Sequence, residues 1–212
     1  MEPNQPMKII QLKGDYEYQG KGKGYERTYT FYTDDGNPVT RCDVYGQCIS
    51  APTEFGLDEN GLFRFIMRAK GKFLNATYFL EDEYGNRFGS ITRKGIGFRW
   101  KMLDEDSREV ARIIDPANWK EAVFRDLLAA QPDSYAVASD QQLIASIAKE
   151  QLLESIARKP KNVIGKVFEK ILPERGLTMR IQPGQESNID NRILIAGMTL
   201  LQVHDIAGAN RN

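Results

Sequence analysis

One imidazole, two thiols and a few clustered cations are what this chain offers for chemistry. His204 is the only histidine, and by residue type it is a candidate general base. No second histidine accompanies it, no Ser or Cys stands in a nucleophile motif, and there is no Gly-rich elbow. Its place late in an apolar segment reads as a helix end or a core position, and no catalytic residue is assigned. Cys42 and Cys48 lack His or Cys partners at metal-ligand spacing and are too few for a disulfide framework. They read as reduced thiols in or beside a strand, with no metal. Asp104, Glu105 and Asp106 resemble a cation loop only by charge and read as a solvated turn. Gly20-Lys21-Gly22-Lys23-Gly24 lacks the strand-to-helix setting of a phosphate loop and reads as a mobile loop. None of these groups implies a cofactor.

The remaining cations sit on predicted strands. Arg68, Lys70 and Lys72 cluster at one hairpin. Arg93 and Lys94 end another, with Arg99 and Lys101 on the polar face of the next strand. Anion recognition needs several converging cations with forked donors. Arg68, Lys70, Lys72, Arg93 and Lys94 are therefore the candidate ligands for an anionic group, weighed against the plainer role of a solvated strand face. A second candidate surface is Val163, Val167 and Phe168, on a narrow amphipathic stripe with Lys159, Lys161, Lys166 and Lys170. Such a stripe can lie on a membrane or pack on the body of the protein. The stripe is short and Glu169 dilutes its charge, so packing is the reading adopted.

Period-two alternation, broken by acidic or Gly-containing turns, predicts the elements that hold these residues. Strands are expected at 7–12, 25–33, 38–44, 62–68, 73–81, 87–93, 97–103, 109–114, 135–138, 143–147 and 176–182. The pattern is clearest where Phe98, Trp100 and Met102 alternate with Arg99 and Lys101. Phe88-Gly89-Ser90-Ile91, Val110-Ala111-Arg112-Ile113 and Ile144-Ala145-Ser146-Ile147 each follow a polar turn, a loose internal repeat. Helical insertions are expected at 116–131, opened by Asp115-Pro116, and at 150–172, ended by Pro173. Residues 1–6 read as a tail.

The last element organises the rest. Ile193 to Val203 is apolar except for Thr199 and Gln202. As a helix over 189–207, capped by Asn188 or Asp190 and ended by Gly208, it is apolar on nearly all sides and must be surrounded. It is too short for a bilayer, which needs about 20 apolar residues. Many short strands followed by such a helix predict a mainly β (α+β) fold: a closed antiparallel barrel of about twelve strands around a central C-terminal helix, with peripheral helices. Closure removes exposed sheet edges, and a barrel of roughly a dozen strands has room for a helix about 10 Å across. The chain is read as a single domain, 1–212.

Three stretches resemble the tubby C-terminal-like superfamily, which includes tubby proteins, phospholipid scramblases and LURP-one-related proteins. The first is the hairpin Tyr78 to Lys94. The second is Trp100-Lys101-Met102-Leu103-Asp104 with Val110-Ala111-Arg112-Ile113. The third is Gly176-Leu177-Thr178-Met179-Arg180-Ile181 leading into Asn191 to Met198, with Asp205 near the helix end. The resemblance implies a barrel around a central C-terminal helix and a non-enzymatic module for anionic phospholipid headgroups at the cytoplasmic membrane face. Its alternative is a structural or regulatory protein-interaction scaffold. No acidic loop of the scramblase type precedes the terminal helix, so calcium-driven scrambling is not part of the expectation.

Composition bounds these readings. Lys plus Arg equals Asp plus Glu, 29 each, so no global field draws nucleic acid. No signal-like apolar stretch opens the chain, and a cytoplasmic protein with no transmembrane span, possible only as a peripheral membrane binder, is the expectation.

Overall fold

The computed structural model describes residues 9–18, 25–33, 35–45, 52–56, 64–71, 75–93, 99–114, 134–139, 142–149, 176–185 and 189–209. The fold is mainly β, an antiparallel sheet with one C-terminal helix. The strands are β1 (Ile9–Tyr18), β2 (Tyr25–Thr33), β3 (Pro38–Tyr45), β4 (Thr53–Phe55), β5 (Phe65–Lys70), β6 (Thr77–Glu81), β7 (Arg87–Arg93), β8 (Arg99–Asp104), β9 (Glu109–Ile114), β10 (Ser134–Ala138), β11 (Leu143–Lys149) and β12 (Leu177–Ile181). The helix is α1 (Asn191–Ala209). The tail and the insertions expected at 116–131 and 150–172 lie outside the described residues.

Alternation builds the wall, because successive side chains of a strand point to opposite faces. Phe65 and Met67 of β5 are buried, as are Trp100 and Met102 of β8, while Arg68 and Lys101 between and beyond them are exposed. Each strand pairs antiparallel with its neighbours in sequence, and β1 pairs with both β2 and β12. The neighbour order β1-β12-β11-β10-β9-β8-β7-β6-β5-β4-β3-β2 thus runs round to its start. Eleven of these pairings are ladders of three or more residue pairs. The other, β3 to β4, is a single pair, Cys42 opposite Phe55. The wall is pinched at this seam instead of laced evenly.

Two of the three repeats expected from the sequence, those at Phe88 and Val110, follow turns of one geometry, and the turn before Pro38 shares it. Thr33 N–H donates to Asn37 O and Gly36 N–H to Thr33 O. The same two bonds recur as Asp82 to Asn86 with Gly85 to Asp82, and as Asp104 to Arg108 with Ser107 to Asp104. The ladders slip register just before each turn, at Phe31/Tyr32, Leu80/Glu81 and Met102/Leu103. All three turns need a positive φ at one position, and it is 78° at Gly36, 84° at Gly85 and 64° at Ser107. A side chain in this region costs about 1–2 kcal/mol, partly offset by the greater freedom glycine has when unfolded. Ser107→Gly is therefore expected to stabilise the protein by about 0.5–1 kcal/mol, read as a higher denaturant midpoint. An unchanged or lower midpoint contradicts this.

The helix sits against the inner face. Ile193, Leu194, Ile195, Ala196, Met198, Leu200, Leu201 and Val203 are each at most 4% exposed, so no side of this stretch meets water. Two glycines set how closely helix and wall approach. A Cβ on Gly197 would lie 2.6 Å from Met102 Cε and 3.0 Å from Ile113 Cδ1. One on Gly89 would lie 2.8 Å from both Leu103 O and Ile193 Cδ1. Asp190 is the cap: its Oδ1 accepts from Arg192 N–H at 2.9 Å, satisfying a free donor of the first turn. The helix runs two residues later at each end than the expected 189–207, and Gly208 lies within it. Among the described residues, no helix is long and apolar enough to cross a membrane.

Candidate functional site: the seam between β3 and β4

The pinch has a local cause. Pro52 precedes β4 and Gly56 follows it. Proline has no N–H to continue a ladder, so β4 is only Thr53-Glu54-Phe55, with Thr53 and Phe55 inward and Glu54 outward. Gly56 N–H donates to Arg41 O at 2.9 Å and closes that end. On the other side of Cys42, β3 continues to Tyr45 without a paired residue on β4.

A groove of about 440 Å³ lies over this seam. Arg41, Asp43, Glu54, Arg64 and Glu83 contribute charge to it, and Cys42, Phe55 and Phe65 are its buried side chains. Asp43 Oδ1 accepts from Thr28 Oγ1 at 2.6 Å. Arg41 and Arg64 are exposed and take part in none of the salt bridges among the described residues. Two free guanidinium groups on one groove can hold a carboxylate or phosphate through forked hydrogen bonds. The three carboxylates beside them limit how much negative charge can be held.

The floor of the groove is tied to the start of the helix. Phe55 stacks on Phe65 with centroids 4.1 Å apart. Phe65 meets Phe88 edge-on at 5.8 Å. Arg192 lies over the Phe88 ring at 3.7 Å and pairs with Asp190 at 2.6 Å. A continuous row of contacts therefore runs from β4 to the cap of α1.

The cations expected from the sequence do not form one exposed patch. Arg93 is 2% exposed, with its guanidinium 5.5 Å from the Trp100 ring. The expectation that it serves on the surface is corrected: Ile91 and Arg93 share the inward face of β7. Arg68 is on the outer face, where its Nε reaches Glu81 Oε2 at 2.8 Å. Lys70 is exposed at the end of β5. Lys72 and Lys94 lie outside the described residues, as do Cys48, Val163, Val167 and Phe168. His204 is on α1.

Lys101 and Arg112 on the outer face are both engaged by Glu109, Lys101 at 2.5 Å. Partial burial pushes the Glu109 carboxyl up, but the hydrogen bonds and charges of Lys101 and Arg112 outweigh it and hold the group below its ordinary value. A lowered carboxyl contributes stability that is complete above its unfolded pKa and is lost as pH falls through the folded one. Wild type is expected to lose this contribution below about pH 4.5, and Glu109→Gln to show a flatter acid limb of stability against pH. The difference is that of an exposed pair, about 0.2–1 kcal/mol. Superimposable acid limbs contradict the assignment.

Cys42 is a free, buried thiol. Burial pushes its pKa far up, a hydrogen bond with Thr199 on α1 opposes this, and Asp43 adds to the rise. It stays protonated and is poorly nucleophilic. Among the described residues no His, Cys, Asp or Glu cluster is arranged to hold a metal.

Sequence reasoning missed Arg41, Arg64 and β4. The flanking Pro52 and Gly56 were the signal available for β4; the two arginines come together only through strand pairing. Comparison with family models, curated proteins and solved structures finds no match.

Proposed function

We propose that this chain is a non-enzymatic binding module of the tubby C-terminal-like type, holding an anionic headgroup at the cytoplasmic face of a membrane. On this reading the twelve strands form a closed barrel in solution, with α1 as its plug. The run of pairings from β1 through β12 and the burial of Ile193 to Val203 support that reading of the architecture. The observation that carries the ligand is the pair of exposed arginines on the seam groove, Arg41 and Arg64, which form no salt bridge among the described residues.

Vesicle sedimentation tests it. The protein is expected to sediment with phosphatidylserine-containing vesicles and not with phosphatidylcholine alone, and Arg41→Ala/Arg64→Ala is expected to remain in the supernatant. Equal behaviour with both vesicles, or of both proteins, rejects it.

The carboxylates of Asp43, Glu54 and Glu83 on the same groove favour a second reading, a protein-interaction scaffold that takes an extended segment of mixed charge. Peptides selected on the wild type that lose binding to Arg41→Ala and to Glu54→Ala would support it. Selection of none that discriminates would reject it.

A further inference from the structure

The charges of the seam groove are sorted by sign into two rows. Phe55 of β4 pairs with Cys42 on one side and with Phe65 on the other, and all three are buried. One residue further, side chains turn to the opposite face, so Arg41, Gly56 and Arg64 form an outward row. The bond from Gly56 N–H to Arg41 O at 2.9 Å fixes one half of that row. A Cβ on Gly56 would lie 3.7 Å from Arg64 Cγ, which fixes the other. Gly56 thus leaves an open slot between two arginines whose strands are about 10 Å apart.

On the other side of Cys42 and Phe55 the outward residues are Asp43 and Glu54. Glu54 pairs with Ile66 on β5, and Asp43 is the matching residue of β3, although the ladder has ended there. The two carboxylates lie about 7 Å along the strands from the arginine row. Like charges set opposite each other on neighbouring strands are destabilising. Asp43 accepts from the Thr28 hydroxyl, but neither Asp43 nor Glu54 takes part in a salt bridge among the described residues. Glu83, between β6 and β7, adds a third carboxylate to the groove. Carboxylates therefore outnumber guanidinium groups, and a ligand that carries only negative charge is repelled by one half of the groove.

We propose that the groove takes a zwitterion, the phosphate ester of a two-carbon amino alcohol, either free or as a phospholipid headgroup. The phosphoryl group sits over Gly56 between Arg41 and Arg64, and the ammonium donates to Asp43 and Glu54. The proposal rests on the anion-binding reading of this groove and names the rest of its ligand. Phosphate suits the forked donors of two arginines. An ammonium has three N–H donors, so it can bridge two carboxylates and remove their repulsion. An α-amino acid carries both charges on one carbon and does not span the two rows.

The test compares O-phosphoethanolamine with ethyl phosphate, which lacks only the amine, by calorimetric titration of the full chain. O-phosphoethanolamine is expected to bind about tenfold more tightly, the worth of one charge-assisted hydrogen bond. In Glu54→Gln that preference is expected to disappear while ethyl phosphate binds at least as well as to the wild type. Arg41→Ala/Arg64→Ala is expected to lose both ligands. Vesicles then distinguish the source of the ester, because phosphatidylserine carries phosphate and ammonium and phosphatidylglycerol carries phosphate alone at the same net charge. Preference for phosphatidylserine supports a headgroup. Discrimination between the soluble esters without vesicle binding supports a free ester and rejects the membrane reading alone. Equal affinity for the two soluble esters, or a preference that survives Glu54→Gln, overturns the zwitterion and leaves the anion site standing. Binding of neither ester overturns both.

Discussion

Leu200→Asp leaves the protein unfolded. Leu200 is 2% exposed in the middle of a helix whose stretch from Ile193 to Val203 is buried on every side, and a carboxylate placed there is cut off from water. Burying an unpaired charge costs several kcal/mol even after relaxation, and removal of the leucine contacts adds about 2–5 kcal/mol. Together these rival the whole stability of an ordinary domain, about 5–15 kcal/mol. The expected result is loss of the cooperative thermal transition, whereas Leu200→Met, which conserves volume, keeps it with a cost under about 1.5 kcal/mol. A folded Leu200→Asp protein with the wild-type melting temperature would mean that the helix is not enclosed.

Trp100→Ala has the next largest expected effect. Trp100 is 1% exposed and is among the largest fully buried side chains. Tyr78 lies against it with centroids 5.9 Å apart, and the Arg93 guanidinium is 5.5 Å from its ring. Truncation of a buried aromatic costs about 3–5 kcal/mol through lost burial and the remaining cavity. Here it also strips a buried cation of the ring that faces it, an interaction of about 2 kcal/mol when desolvated. A denaturant midpoint lowered by that amount at unchanged slope is the expected outcome. Trp100→Phe should recover a large part of it, and a loss below about 1 kcal/mol would contradict this packing.

What could be read in the sequence follows from which physical signals are local. Alternation is local, so β2, β7 and β9 were placed from residue types alone, and the burial of Trp100 and Met102 followed. The uniform apolarity of Ile193 to Val203 is local too, and it required an enclosed helix. Conversely, in the second half of β1 Gly14 interrupts the face that Leu12 shares with Tyr16 and Tyr18, and the expected strand stopped at Leu12. Arg93 was assigned by its charge to the surface, although period two from Ile91 points it inward. A strand of three residues between Pro52 and Gly56 is too short for any period to register. The groove is the least local feature of all: Arg41 and Arg64 belong to different segments, and the β3–β4 seam exists only because the pairings on both sides of it are made.

The enclosure of α1 by the strands is the claim on which the fold and both binding proposals rest. Native-state hydrogen exchange of the backbone amides from Ile195 to Leu201 measures it directly. The account predicts that these amides exchange only through global unfolding, with a protection free energy equal to the stability obtained from denaturant titration. Exchange of the same amides at the rate of an exposed helix, while the strand amides stay protected, would contradict it.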